Sequence, residues 1–139
     1  MADIKPMTGA TQMIAATALR AQQARMRVIA ENMANAQSVS RQPGGDPYRR
    51  QVPVFTPYKT DAGQGVRVAR VEPDRKDFRS VYDPSHPSAD DKGYVKLPNV
   101  DTLVEALDMK EAQRAYEANL NVIETARAME QRTLDILKK

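Results

Sequence analysis

Apolar side chains in the last third of the chain, residues 99–139, recur at seven-residue spacing. The rows are Ala115, Val122, Met129 and Ile136; then Met109, Tyr116, Ile123 and Leu137, interrupted by Glu130; then Leu120 and Leu134, interrupted by Arg127. On a helix such rows merge into one broad apolar face. The segment lacks proline and glycine, so it predicts one helix of about 35 residues, capped by Asn99 or Asp101. A periodic helix of this length is typical of a coiled coil, and its face needs a partner.

A second helix is predicted from Thr8 or Thr11, as the cap, to about Ala36. Leu19, Met26 and Met33 repeat every seven residues within a stretch rich in alanine, glutamine and arginine. Its apolar face is weaker than that of the last helix, so we expect it to be marginal alone. Its small side chains permit close contact with another helix.

The middle of the chain changes character. It holds most of the prolines and aromatic residues, and strands are predicted at 48–55, 65–71 and 78–82. The predicted segments are a helix in 1–37, an irregular β-rich insert in 38–98 and a helix in 99–139. The fold class is therefore mainly α, with two long terminal helices packed as a coiled-coil-like hairpin around a small β-rich insert.

Composition narrows the class of protein. The chain has 139 residues, of which 41% are hydrophobic and only 5% aromatic, so we expect a thin core. The net charge of +3 is too mild to argue for nucleic acid. With no cysteine there is no disulfide and no thiolate metal site. We expect neither a cleavable secretory signal nor a transmembrane helix.

The sequence gives little indication of a catalytic or metal site. The single histidine, His86, lies in a proline-stiffened polar loop with no second ligand at zinc-site spacing. The glycines at 63 and 65 fit a turn better than a phosphate loop, and no activated nucleophile is evident. The arginines of the insert alternate with acidic residues, which favours a solvated or protein-contacting surface over nucleic acid. We expect no enzyme activity, no cofactor and no metal.

Four stretches carry a family resemblance. VIAENMANAQ (28–37), PGGDPYRRQVPVF (43–55), VYDPSHPSADDKGYVKLPNVD (81–101) and AYEANLNVIETARAMEQRTLDIL (115–137) resemble the proximal-rod branch of the flagellar axial protein family. The resemblance covers nearly the whole chain in order, and the stretch 81–101 is its most specific part.

The resemblance implies a structural subunit of the bacterial flagellar basal-body rod. Such a subunit assembles helically with copies of itself and with other proximal and distal rod proteins, near the inner-membrane ring. It transmits torque, lines the export channel and leaves the cell through the flagellar type III export apparatus without a cleaved signal. No nucleic acid and no membrane insertion are implied.

The resemblance also implies roles for particular residues. Side chains expected to face the partner helix are Leu19, Met26, Ile29 and Met33. Those expected to fill the helical wall are Tyr116, Leu120, Ile123, Met129, Leu134 and Ile136. Asn32 and Asn35 are expected to end the first helix. Contacts with neighbouring subunits are expected from Tyr48, Arg49, Arg50, Tyr82, Asp83, Pro84 and His86. The alternative is a soluble helical-hairpin adaptor that binds partner helices.

Overall fold

The structure, a computed structural model, describes residues 7–139. Its elements in chain order are helix α1 (Met7–Ala34), strands β1 (Gln51–Thr60), β2 (Gly63–Pro73), β3 (Arg79–Tyr82) and β4 (Tyr94–Leu97), and helix α2 (Thr102–Leu137). The strands form two separate two-stranded sheets, β1 with β2 and β3 with β4. Two long helices flanking a small β-containing insert confirm the predicted fold class.

The two helices begin differently from one another. The Oδ1 atom of Asp101 accepts hydrogen bonds from the backbone N–H groups of Leu103 (2.9 Å) and Val104 (3.4 Å). Asp101, one of the two residues predicted as the cap, is therefore the N-cap of α2. The prediction for α1 is wrong, because Thr8 and Thr11 both lie inside the helix and neither caps its first described turn.

The observed strands agree with the sequence-based prediction only in part. β2 and β3 lie at the predicted stretches 65–71 and 78–82, whereas the first strand begins only at Gln51 and runs on to Thr60. The four residues of β4, between Gly93 and Pro98, were not predicted. Their run is too short to show a period, and only pairing with β3 makes them a strand.

The chain forms two compact units. Of the described residues, unit 1 comprises 7–26, 54–70 and 111–139, and unit 2 comprises 27–53 and 71–110. Each unit takes residues from all three predicted sequence segments, whose boundaries stay a prediction. Among residues 7–139 neither helix has the length and apolar character needed to cross a membrane.

Unit 1 has an interior of small side chains. The buried hydrophobic residues described there are Ala15, Ala21, Ala112 and Ala126. Arg25 pairs with Glu111 at 3.3 Å, while Thr8 lines a groove with Met129, so the two helices run antiparallel within this unit. Alanine faces allow close approach of the helices but bury little apolar area.

A glycine brings β2 onto α1 in unit 1. The Thr17 hydroxyl donates to the carbonyl of Ile14 (2.7 Å) and accepts from the N–H of Val66 (3.1 Å). A Cβ atom on Gly65 would lie 2.8 Å from the Oγ1 atom of Thr17. Gly65 therefore allows a close approach between strand and helix that no other residue would permit without displacement.

Unit 2 has a more conventional apolar core together with buried polar groups. Val28 and Ile29 of α1, Val95 of β4 and Val100 before α2 are all buried. The unit also encloses Asn32 and Glu105, described next.

Candidate assembly site

The largest fully buried side chain described is a charged one. Glu105, in the first turn of α2, is 0% exposed, and Asn32, near the end of α1, is 1% exposed. Burying a carboxylate is costly unless a cation and hydrogen bonds compensate it. The compensation comes from α1 and from the segments next to β1, β2 and β4. We call Asn32, Arg50, Asp74, Asn99 and Glu105 the buried polar cluster.

Arg50 supplies the cation. Its Nε atom donates to the Oε1 atom of Glu105, its NH1 group lies 3.3 Å from Asp74 and its NH2 group lies 3.4 Å from Asp108. Burial alone lowers the pKa of Arg50, but the hydrogen bonds and negative charges of Glu105 and Asp74 outweigh it and raise the pKa above its ordinary value. The guanidinium thus stays charged and joins the start of α2 to the start of β1.

Asn32 uses its whole side-chain amide. Its Nδ2 atom donates to the backbone carbonyl of Gln51 (2.8 Å) and to Glu105 (3.2 Å). Its Oδ1 atom accepts from the N–H of Gln51 (2.8 Å) and the hydroxyl of Tyr48 (2.9 Å). Both donors and both acceptor sites are filled, so the amide can face only one way.

Asn99 and Asp74 tie the loops to the cluster. The Oδ1 atom of Asn99 accepts from the N–H of Arg50 (2.7 Å), and its Nδ2 atom donates to the carbonyls of Asp74 (3.2 Å) and Lys76 (3.0 Å). The N–H of Lys76 hydrogen-bonds to the Asp74 carboxylate, and together with Arg50 it holds the pKa of Asp74 below its usual value. Asn99 is therefore a loop tether and not the cap of α2.

The residues predicted to touch neighbouring subunits fall into two groups. Tyr48, Arg49 and Arg50 are half-buried and bonded within their own unit. Burial, followed by the charges of Glu31 and Glu105, raises the pKa of Tyr48. The structure gives these three side chains intramolecular roles, and sequence reasoning missed the cluster that they join.

The segment 82–86, from the last residue of β3 into the following loop, is partly exposed. Tyr82 and Pro84 are exposed, whereas Asp83 and His86 are half-buried. The Nδ1 atom of His86 accepts from the N–H of Ser88 (3.0 Å), so the imidazole bonds within its own loop. Within residues 7–139 no group of three or more histidine, cysteine, aspartate or glutamate side chains could hold a metal ion.

The two predicted asparagines at the end of α1 do different things. Asn35 bonds to the carbonyl of Glu31 through its backbone N–H (3.1 Å) and its side chain (2.9 Å), so it closes the last turn as expected. Asn32 instead holds the backbone of Gln51, as described above. The expectation that Asn32 ends the helix is wrong, because its amide points into unit 2.

The predicted helix faces differ in exposure. On α1, Ile29 is buried, Leu19 and Met26 are half-buried and Met33 is exposed. On α2, Tyr116 and Ile123 are half-buried, whereas the remaining predicted wall residues are exposed, namely Leu120, Met129, Leu134 and Ile136.

One exposed stripe on α2 follows the seven-residue spacing. Val122, Met129 and Ile136 are 43%, 59% and 74% exposed, and we call them the outer row. The first two also line a groove of about 380 Å³ with Thr8 and Thr11 of α1. The outer row therefore leaves apolar side chains open along this part of α2.

A second exposed apolar group lies at the other end of α2 and was not predicted. Leu103, Val104 and Leu107 are all exposed in unit 2. Their spacing of three and four residues puts Leu107 beside both of the others on the helix surface. That spacing was visible in the sequence, but the seven-residue rows further along the helix dominated the pattern.

Comparisons with known proteins agree along the chain. A family model described as flagellar basal body rod FlgEFG protein C-terminal matches residues 91–136. The flagellar basal-body rod protein FlgC of Agrobacterium fabrum is 44% identical, with 96% of each chain covered. The protein of the same name from Borreliella burgdorferi is 44% identical over 90% of this chain and 94% of its own. That from Bacillus subtilis is 36% identical over 90% and 95%.

Proposed function

Because the chain belongs to the FlgC family of flagellar basal-body rod proteins, we infer that it is a structural subunit of the bacterial flagellar basal-body rod. The observation that carries this inference is the 44% identity to the Agrobacterium fabrum relative over 96% of both chains. The protein therefore belongs to the flagellum basal body, where it assembles with other rod components.

The surface of α2 supports an assembling role. The outer row and the exposed group at Leu103 and Leu107 leave apolar side chains uncovered on both units. Covering the exposed part of such a side chain contributes about 1–2 kcal/mol. Neighbouring helices in an assembly would provide that cover, which is why we assign the outer row to subunit contacts.

We further propose how the subunit is placed. It assembles helically with copies of itself and with proximal and distal rod proteins, close to the inner-membrane ring. It contributes to the wall of the export channel and to the torque-transmitting shaft. It reaches this position through the flagellar export apparatus without cleavage of a signal peptide, and it has no catalytic activity.

Mass spectrometry of purified basal bodies tests the location. We expect this chain in a fixed ratio to the other rod proteins. If it is absent from basal bodies that retain rod, ring and hook proteins, the inference fails and a soluble helical adaptor takes its place.

Substitution in the outer row tests the assembly surface. In a strain that lacks the native gene, we expect Met129→Asp or Ile136→Asp to abolish swimming and leave basal bodies without a complete rod, because a carboxylate would be buried against a neighbouring helix. The matched control is Gln113→Asp, at an exposed position of the same helix outside the outer row. Normal rods in both outer-row variants would remove this row from the interface.

A further inference from the structure

β3 has one free edge. The β3–β4 pair is antiparallel, with Val81 opposite Val95 and Tyr82 opposite Tyr94. The N–H of Asp83 donates to the carbonyl of Gly93 at 2.9 Å, so backbone groups of odd-numbered residues point toward β4. Since successive residues alternate, the N–H and C=O groups of Ser80 and Tyr82 point away from β4. Among residues 7–139 no other strand pairs with this edge.

Natural proteins usually protect such an edge. β1 carries Pro53 and Pro57, which cannot donate to a further strand. β3 has no proline, and all four of its residues are exposed. It is thus a ready template for another extended segment.

Three side chains beside this edge have a particular charge order. Arg79, Val81 and Asp83 lie on one face of the hairpin, where they line an open groove of about 320 Å³. Val81 is 48% exposed. Arg79 is exposed and makes no ion pair within the described residues. The order is cation, apolar residue, anion, with Val81 at the centre.

When two copies of this segment run antiparallel, the cation of each copy lies opposite the anion of the other. We propose that β3 pairs antiparallel with β3 of a second copy of this chain, with the two-fold axis at Val81. Arg79 then lies opposite Asp83 of the second copy, Ser80 lies opposite Tyr82, and the two Val81 side chains meet. The outward N–H and C=O groups of Ser80 and Tyr82 all find partners, and an ion pair forms on either side of the axis.

The side chains around the edge fit this pairing. The Oδ1 atom of Asp83 accepts from the N–H (3.2 Å) and the hydroxyl (2.6 Å) of Ser85, and the carboxylate makes no ion pair with a lysine or arginine among the described residues. The Ser85 hydroxyl bond also holds the pKa of Asp83 below its usual value, so the carboxylate is ionised at neutral pH. On the opposite face the small Ser80 lies across from the large Tyr82, so the two do not compete for space.

The expected dimer has a low affinity and does not grow into larger assemblies. A contact through one short strand is far smaller than a standard interface, so we expect a dissociation constant between about 10 µM and 1 mM. A two-fold contact uses the same patch on both copies and cannot propagate into a filament. It is therefore a form of the unassembled chain, and its existence does not depend on the proposed place in the rod.

Sedimentation velocity over a concentration series to about 1 mM tests the pairing, with amide NMR spectra as a local readout. The wild-type chain should show a reversible monomer–dimer equilibrium with concentration-dependent shifts at Ser80 and Tyr82. Ser80→Pro removes an outward N–H and should leave a monomer. The control Ser80→Val keeps that N–H and should dimerise like the wild type.

Exchanging the charges at Arg79 and Asp83 distinguishes the proposed register of the two β3 strands from other registers. Arg79→Asp makes both ends of the edge acidic, and Asp83→Arg makes both ends basic, so each variant alone should dimerise at least about tenfold more weakly. An equimolar mixture should regain the wild-type affinity as a heterodimer. A wild-type monomer throughout the series, association beyond the dimer, unaltered dimerisation of Ser80→Pro, or no recovery on mixing would each overturn the proposal.

Discussion

Asn32 gives the sharpest test of the buried polar cluster. The substitution Asn32→Ala removes an amide that holds both backbone groups of Gln51, the hydroxyl of Tyr48 and one oxygen of Glu105. Because Asn32 is 1% exposed, water cannot simply take its place. The groups that it served are left without partners inside unit 2.

The expected cost follows from those groups. A buried polar group that loses its partner costs about 1–3 kcal/mol. Gln51 and Tyr48 are only half-buried, so water can reach part of what is lost. We therefore expect Asn32→Ala to lower the free energy of unfolding by about 2–4 kcal/mol. The matched control is Asn35→Ala, whose amide bonds only to Glu31 and Ser38 on the exposed side, and we expect it to cost less than about 1 kcal/mol.

Urea denaturation followed by circular dichroism measures the difference between the two variants. Hydrogen exchange at the Gln51 amide gives a local readout, which should lose protection in Asn32→Ala and keep it in Asn35→Ala. Equal stability of the two asparagine variants, together with an unchanged Gln51 amide, would refute the assignment of Asn32 as the central element of the cluster.

Two further predictions concern each unit in turn. Gly65→Ala should destabilise unit 1 by about 1–3 kcal/mol, because the new methyl group meets Thr17 at 2.8 Å, and the cost should be smaller in a Thr17→Ala background. Denaturant titration of the four chains measures this coupling. For unit 2, the pKa of Asp74 is lowered in the fold, so its carboxylate stabilises the protein above its unfolded pKa of about 3.9, and that contribution is lost as the pH falls through the folded pKa. Asp74→Asn should therefore lose less stability than the wild type between about pH 5 and pH 2.

Specific results would contradict these two predictions. Additive costs of the Gly65 and Thr17 changes would show that the strand does not press on the helix at that point. Parallel stability curves for the wild type and Asp74→Asn below pH 5 would show that Asp74 gains nothing from Arg50 and the backbone of Lys76.

The two helices were predictable because their signals are local. Seven-residue rows, the absence of proline and glycine, and a capping aspartate fall within a single stretch of sequence. Asp101 could be identified as a cap because its carboxylate acts on residues two and three positions ahead. The alternation that predicted β2 is local in the same way.

The buried polar cluster was not predictable for the opposite reason. Arg50 and Glu105 are 55 positions apart, and no local spacing in the sequence links the two side chains. The sequence does hold one sign of the cluster: Asn32 lies four positions after Val28 and three after Ile29, so it shares the buried face of the helix with them. Nothing in the sequence paired it with Gln51, since that contact depends on where the insert folds back.

The distance in sequence between Arg50 and Glu105 also determines when unit 2 can fold during translation. Closing a loop of 55 residues costs on the order of 3–4 kcal/mol in chain entropy, whereas α1 can form locally as soon as it is made. A nascent chain that ends before Glu105 has made Asn32 and Arg50 but has no carboxylate to receive them. Unit 2 can therefore be completed only after the start of α2 has been translated, and chains truncated ahead of that point should be open to proteases.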